Sequence, residues 1–335
     1  MAKRRYGRKI QPAVHTFTFE LPLTGGNTID AFTIDISQCA SIMNRRFYRQ
    51  GLNWAVAGFK LLSTHSGTAS IQKLPNTWVM SNAWEKGFRA WQQMIENATD
   101  ESGSESIKGK FLDFKVFADT VHHADGVAAN LLPVNFSPTT GATQVATAGQ
   151  WQMSDITIPS TTGSPGNVTD YELIAVGAND PGAGASGKNA KSLIEGYADS
   201  RALPSQEEPN VPADASLNWM LGMFNEGTLQ DNAVMGMLET TGDKAPYPFE
   251  NDGTAVDTQY PGGANQVPGL EVHDLEYVTT STIGGKTHFK GGNFPCGLVR
   301  VQVQKTSAGS AFAYVQMDLV PGHHRGYLCE PMTEM

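Results

Sequence analysis

Residues 15–36, HTFTFELPLTGGNTIDAFTIDI, decide the fold. In the first run Phe17, Phe19 and Leu21 fall on one face and Thr16, Thr18 and Glu20 on the other. That period-two alternation is the mark of a half-buried β-strand. Gly25-Gly26-Asn27 supplies a turn, and Thr28 to Ile36 (TIDAFTIDI) begins a second run of β-formers. Similar runs recur at 54–62, 68–74, 110–118, 151–158, 171–176, 270–280, 298–304 and 311–319. About ten strands are therefore expected, most of them bounded by Gly, Pro, Asn or Ser. The 35 glycines and 18 prolines suit many short turns better than long helices. Each half-apolar sheet must bury its face against another, so the expected architecture is an all-β sandwich.

Helical signal is sparse. Asn82–Ala98 places Trp84, Phe88, Trp91 and Ile95 at i, i+4, i+7 and i+11, which predicts one amphipathic helix capped by Asn82. Shorter helices are expected near 190–201, 217–224 and 232–238. Residues 177–270 hold 13 glycines and 8 prolines and show no strand pattern. They read as a loop-rich insertion within one domain spanning 11–335, behind a basic arm at 1–10.

Of the 335 residues 17% are charged and 40% hydrophobic, a balance that argues against disorder. No apolar run reaches the ~18 residues of a membrane helix, and no apolar stretch follows the basic N-terminus to make a secretory signal. The net charge of −9 argues, as a whole-chain figure, against a nucleic-acid partner. Split by segment it reads differently. Residues 1–9 contain Lys3, Arg4, Arg5, Arg8 and Lys9 and no acid, for a net +5. Residues 177–270 contain four basic and thirteen acidic side chains, for a net −9, and the remainder carries −5. A cationic tip on an acidic body fits a tether to phosphates, which needs no base reading; a solvated terminus or a localisation signal fits it too. A second cluster, Arg45, Arg46 and Arg49 in MNRRFYRQG, interleaves guanidinium groups with Phe47 and Tyr48. Such a pattern stacks on bases or packs as an interface.

Catalytic and metal constellations are weak. GAGASGKN, Gly182 to Asn189, has the GxxxxGK spacing of a phosphate-binding loop, but Asn189 stands where a Mg²⁺-holding Ser or Thr belongs. The pairs His122-His123 and His323-His324 lack ligand-spaced partners and, on strands, would point to opposite faces. Cys39, Cys296 and Cys329 are widely spaced and odd in number, which reads as free thiols. No nucleophile, base and oxyanion donor assemble as a set, so neither an enzyme nor a cofactor or metal site is expected.

Seven blocks carry a further likeness: NRRFYRQGLNWAVAGF (44–59), SIQKLPNTWVMSNAW (70–84), AANLLP (128–133), LIEGYADSRALP (193–204), YPGGA (260–264), GGNFPCGLVRV (291–301) and LVPGHHRGYLCEPMTEM (319–335). Together and in this order they resemble capsid proteins of small circular single-stranded DNA viruses, closest to the uncultured marine members that encode a replication-initiator protein (CRESS-DNA viruses). The resemblance covers residues from about 11 to the C-terminus and is most specific in the terminal block. It implies a single jelly roll of two four-stranded antiparallel sheets that self-assembles into an icosahedral shell around a single-stranded DNA genome. The protein would then reside in the virion and, during assembly, inside the host cell, with no membrane association. It also implies that Lys3, Arg4, Arg5, Arg8 and Lys9 face the interior, with Arg45, Arg46 and Arg49 as a further nucleic-acid contact. The arm is short for such a family. A shell of ~60 copies brings roughly 300 arm charges against on the order of thousands of phosphates. The acidic 177–270 segment, which an interior polyanion would repel, is expected on the outer surface. From a different class, a carbohydrate-binding β-sandwich module is the alternative reading.

Overall fold

Alternation along the strands is realised as alternating burial. Phe17, Phe19 and Leu21 are buried on one face of the first strand while the threonines and Glu20 between them are partly or fully exposed. The structure is a computed structural model, and it describes residues 12–24, 28–103, 113–159, 168–202, 269–279, 285–306 and 313–335. In chain order the elements are β1 (Thr16–Leu21), β2 (Ile29–Asp35), α1 (Ile36–Asn44), β3 (Leu52–Ser63), β4 (Gly67–Lys73), α2 (Trp78–Glu101), α3 (Thr120–Asp125), β5 (Val134–Phe136), β6 (Thr143–Val145) and β7 (Asp155–Pro159). There follow β8 (Val168–Ile174), β9 (Asn189–Ser192), α4 (Leu193–Ala202), β10 (Glu271–Val278), β11 (Lys286–Phe294), β12 (Leu298–Lys305), β13 (Ala313–Leu319), β14 (Pro321–Gly322), β15 (Gly326–Tyr327) and β16 (Cys329–Pro331).

The described chain divides into two compact units. The first comprises residues 1–76, 128–151 and 272–335 and is built on two sheets. One sheet runs β1-β13-β3-β11, with β16 also pairing with β3; the other runs β10-β4-β12-β2. Both contribute to a single hydrophobic core: Phe17, Phe59, Val315 and Met317 from the first, Ile34, Ile71, Val299, Val301 and Val303 from the second. Registers are specific, with Phe19 opposite Val315 and Val301 opposite both Phe32 and Ile71. A one-residue slip would turn each of these apolar rows outward, so core burial itself holds the register. The fold is predominantly β, with antiparallel sheets compatible with a sandwich.

The second unit comprises residues 77–127 and 152–271. Helix α2 is capped by Thr77, whose hydroxyl accepts from Met80 N, so the helix starts ahead of the Asn82 expected from sequence. Its Trp84 and Trp91 pack around Phe114, with ring centroids 5.8 and 5.5 Å apart. Strand β8 pairs antiparallel with β7 and parallel with β9. The boundary expected at 177 thus falls between two hydrogen-bonded strands of one sheet. Residues 190–201, expected as a helix, divide between the end of β9 and α4. The stretch 110–118, expected as a strand, is described from 113; among the described residues its one β-bridge is Phe117 to Ile174, and further backbone hydrogen bonds tie Lys115 to Ser154 and Ala118 to Val176. Phe114, Val116 and Phe117 are all buried, so the segment serves as core filler and does not alternate. Residues 203–268, with the helices expected at 217–224 and 232–238 and most of the acidic insertion, lie outside the described residues.

Candidate nucleic-acid interface

Helix α1 and the loop after it organise the arginine cluster. Asp35 caps the helix, its carboxylate accepting from Ser37 N at 2.9 Å and Gln38 N at 3.2 Å. At the other end Arg45 takes a left-handed conformation (φ 54°, ψ 36°) that ends the helix and turns the chain into 46–50. Along that segment Arg45, Arg46 and Arg49 are exposed, Phe47 is half-buried, and Tyr48 and Gln50 are buried. The three guanidinium groups therefore share one solvent-facing loop, while Tyr48 points into the core beside Trp54 and Tyr327, with ring centroids 5.9 and 5.4 Å away.

The loop is anchored from beneath. Tyr48 N donates to Ser41 Oγ (3.0 Å), Ser37 Oγ donates to Arg49 O (3.1 Å), and Tyr48 Oη donates to Arg325 O (3.0 Å). Arg325, in the bend between β14 and β15, returns a bond from Nη1 to Phe47 O (2.5 Å). Gln50 Nε2 and Trp151 Nε1 both donate to Asp35 Oδ2 at 3.1 Å. Asp35 is fully buried, and burial pushes its carboxyl up to about 6 against four hydrogen bonds that favour the charged form. Burial also holds His324 below its ordinary value, helped by the positive charges of Arg325 and Arg49. The field at this end of the first unit is therefore cationic.

Pro12 adds a placement. Arg46 Nη1 donates to its carbonyl at 3.3 Å, and Asn44 Oδ1 accepts from Val14 N at 3.0 Å. The chain that follows the basic arm thus runs directly against the arginine loop. Lys3, Arg4, Arg5, Arg8 and Lys9 themselves lie outside the described residues. Arg45, Arg46 and Arg49 are brought together as expected. Tyr48 is not available to stack on a base, since the core has taken it; Phe47, with Trp151 at 6.5 Å, is the aromatic left beside the arginines. Arg325 belongs to the cluster and was missed. Its partner carbonyl is 278 residues away, and no local pattern around GHHRGY announces that bond.

No known protein family, curated protein or solved structure matches this chain.

The remaining motifs resolve into structural roles. Amides of the 182–189 loop bond within it: Gly184 N to Lys188 O and Gly187 N to Gly184 O. Lys188 Nζ is engaged by Asp155 Oδ2 at 2.5 Å. A phosphate cradle needs those amides and that ammonium free and convergent. His122 and His123 sit on α3, capped by Asp119, and not on a strand. His123 Nε2 lies 2.9 Å from the Glu172 carboxylate, a partner 49 residues distant that spacing did not reveal. Cys39 and Cys296 are buried and Cys329 half-buried, all three as free thiols, with burial pushing Cys329 up to about 12.

Proposed function

We propose that the protein is a capsid protein of the small circular single-stranded DNA virus type, a single jelly roll that self-assembles into an icosahedral shell of ~60 copies or a multiple of that number. The observation that carries this reading is the strand order. Taking the eight long strands of the first unit in sequence, β1 pairs with β13, β2 with β12, β3 with β11, and β4 with β10. That is one long hairpin whose first arm is β1 to β4 and whose second is β10 to β13. Successive strands of each arm alternate between the two sheets, and the cross-pairs β13 with β3 and β12 with β4 are those that rolling such a hairpin creates. A hairpin rolled into two four-stranded sheets is the jelly-roll topology found in many viral shells. The seven collinear sequence blocks point the same way.

The interior face on this reading is the end that carries the arginine loop and the root of the basic arm. Exposed guanidinium groups on an anchored loop, with the cationic arm entering beside them, suit sequence-independent phosphate contact. Expression of the chain alone followed by negative-stain microscopy tests the proposal. Uniform closed shells are expected; a monodisperse monomer across assembly conditions overturns it.

A further inference from the structure

We infer that the opposite end of the sandwich binds a small oxyanion, held between Lys305 and His65. Along β12 the residues Val299, Val301, Val303 and Lys305 fall on one face, and the three valines belong to the core cluster. Lys305 therefore projects a cationic side chain on the apolar side of its strand, and it is 0% exposed. His65, in the turn between β3 and β4, is 2% exposed. Neither Lys305 Nζ nor either ring nitrogen of His65 has a hydrogen-bond partner among the described residues. The ammonium is close enough that its charge, after burial, helps hold the His65 ring below its ordinary value.

Burying one ammonium without an acceptor is strongly unfavourable, and placing a second basic group beside it compounds the cost. A strand of valines offers no reason to carry that cost, since an apolar residue at 305 would continue the row. The groups present are nitrogen donors and carry no oxygen acceptor, which excludes a hard cation as the ligand. One imidazole and one amine do not make a transition-metal site either. What complements them is a small anion that accepts on several sides, namely a tetrahedral oxyanion such as phosphate or sulfate.

The surroundings set the size limit. Gly67 lies opposite Lys305 in the ladder, and a Cβ there would collide with the Gln304 carbonyl, so the strands meet closely at this point. Thr306 ties the turn down, its backbone N and its Oγ1 each donating to Ser66 O at 3.0 Å. With Lys305 and His65 both almost wholly enclosed, the arrangement suits a small ion and not a polymer. The site is also separate from the arginine loop. Leu298, at the start of β12, pairs with Asp35, and Lys305 stands seven residues further on, about 23 Å at ~3.3 Å per residue. The inference does not depend on the capsid reading.

Thermal unfolding and calorimetry of the full chain with inorganic phosphate, against chloride at matched ionic strength, test it. The wild type is expected to bind one phosphate per chain and to show a melting temperature that climbs with phosphate concentration. Lys305→Met should abolish that response and melt higher than the wild type in phosphate-free buffer. His65→Gln should weaken phosphate affinity several-fold while preserving the fold, and Lys305→Arg should retain binding even if the Met variant fails to fold. A wild type indifferent to phosphate, or a Lys305→Met variant that responds as the wild type does, overturns the assignment.

Discussion

Replacing Asp35 with Asn probes the anchor beneath the arginine loop through a pH dependence whose sign is fixed in advance. Asp35 is fully buried and its carboxyl is raised from 3.8 to about 6. Between those two values the folded chain holds a proton that the unfolded chain has released. Stability contributed by this group is therefore fully present below about pH 4 and is lost as pH rises through about 6. Between pH 7.5 and pH 5 the linkage amounts to about 1.4 kcal/mol, with the protein more stable at the lower pH. The Asn variant has no such titration. Its side-chain oxygen can still accept from Ser37 N and Gln38 N, and Gln50 can turn over, but Trp151 Nε1 loses its acceptor, worth about 1–3 kcal/mol. Relief from burying a charge offsets part of that loss at pH 7.5. Urea denaturation of both proteins at the two pH values isolates the effect of Asp35, because His65 and His324, which burial holds low and which act in the opposite direction, are common to both. The stability gap between wild type and Asp35→Asn should widen by about 1.4 kcal/mol on going to pH 5. A gap that stays constant or narrows refutes the placement of Asp35 as a buried carboxylate whose charge is unfavourable.

Three further outcomes follow from the site and the core. Deleting residues 2–9 should leave shells that assemble but package less nucleic acid, read as a lower 260/280 nm absorbance ratio of purified particles. Replacing Arg45, Arg46 and Arg49 together with Ala should weaken single-stranded DNA binding uniformly across sequences and flatten its salt dependence by about two units of slope, at ~0.7 for each phosphate no longer neutralised; unchanged slope would remove these residues from the interface. Phe59→Ala should cost about 3–5 kcal/mol in equilibrium unfolding, since the ring is 1% exposed and packs edge-on against Phe294 at 5.4 Å.

The parts of the fold legible in sequence are those in which burial obeys a local period. β1 and β13 alternate between core and surface residue by residue. β2, β4 and β12 do so only in part because Thr33, Ser70, Gln72 and Arg300 are buried as well, and the expected and observed bounds of all five differ by a residue or two. β11 is not among the expected strands, because Gly291 and Gly292 interrupt its run of β-formers. In the sheet they continue an unbroken register, Lys290 opposite Gly58 and Gly292 opposite Val56, and a Cβ at 291 would strike the carbonyls of Val56 and Ala57. α1 escaped because nine residues of mixed polarity between two strands carry no periodic signal; what makes the helix is the cap at Asp35 and the left-handed turn at Arg45. The second unit was concealed for another reason. Its Trp and Phe residues look the same in sequence whether they cover the sandwich or build a core of their own around Phe114. At the site, exposure of the arginines followed from their charge, but the partition of RRFYRQ into outward Arg and inward Tyr was set by Trp54 and Tyr327, which no local pattern links to it.

Charge balance constrains how a shell of such chains would hold its genome. Five cationic residues in the arm, joined by Arg45, Arg46, Arg49 and Arg325, give nine per chain, or roughly 540 in a shell of ~60. The arginine loop thus nearly doubles the arm's contribution, yet the sum stays well short of on the order of thousands of phosphates in even a small genome. The loop is also held in place: Arg325 and Ser37 bond its backbone at Phe47 and Arg49 and Asp35 holds the Gln50 side chain, so its arginines would meet a polymer from an anchored backbone. Fixed charges that are too few to neutralise a strand still define where it touches the wall, and mobile cations in the lumen then balance the remainder. On this division of labour the arm would raise the local density of nucleic acid and the loop would set its path. Losing the arm would deplete the shell of nucleic acid, whereas losing the loop would leave it filled but disordered at the wall.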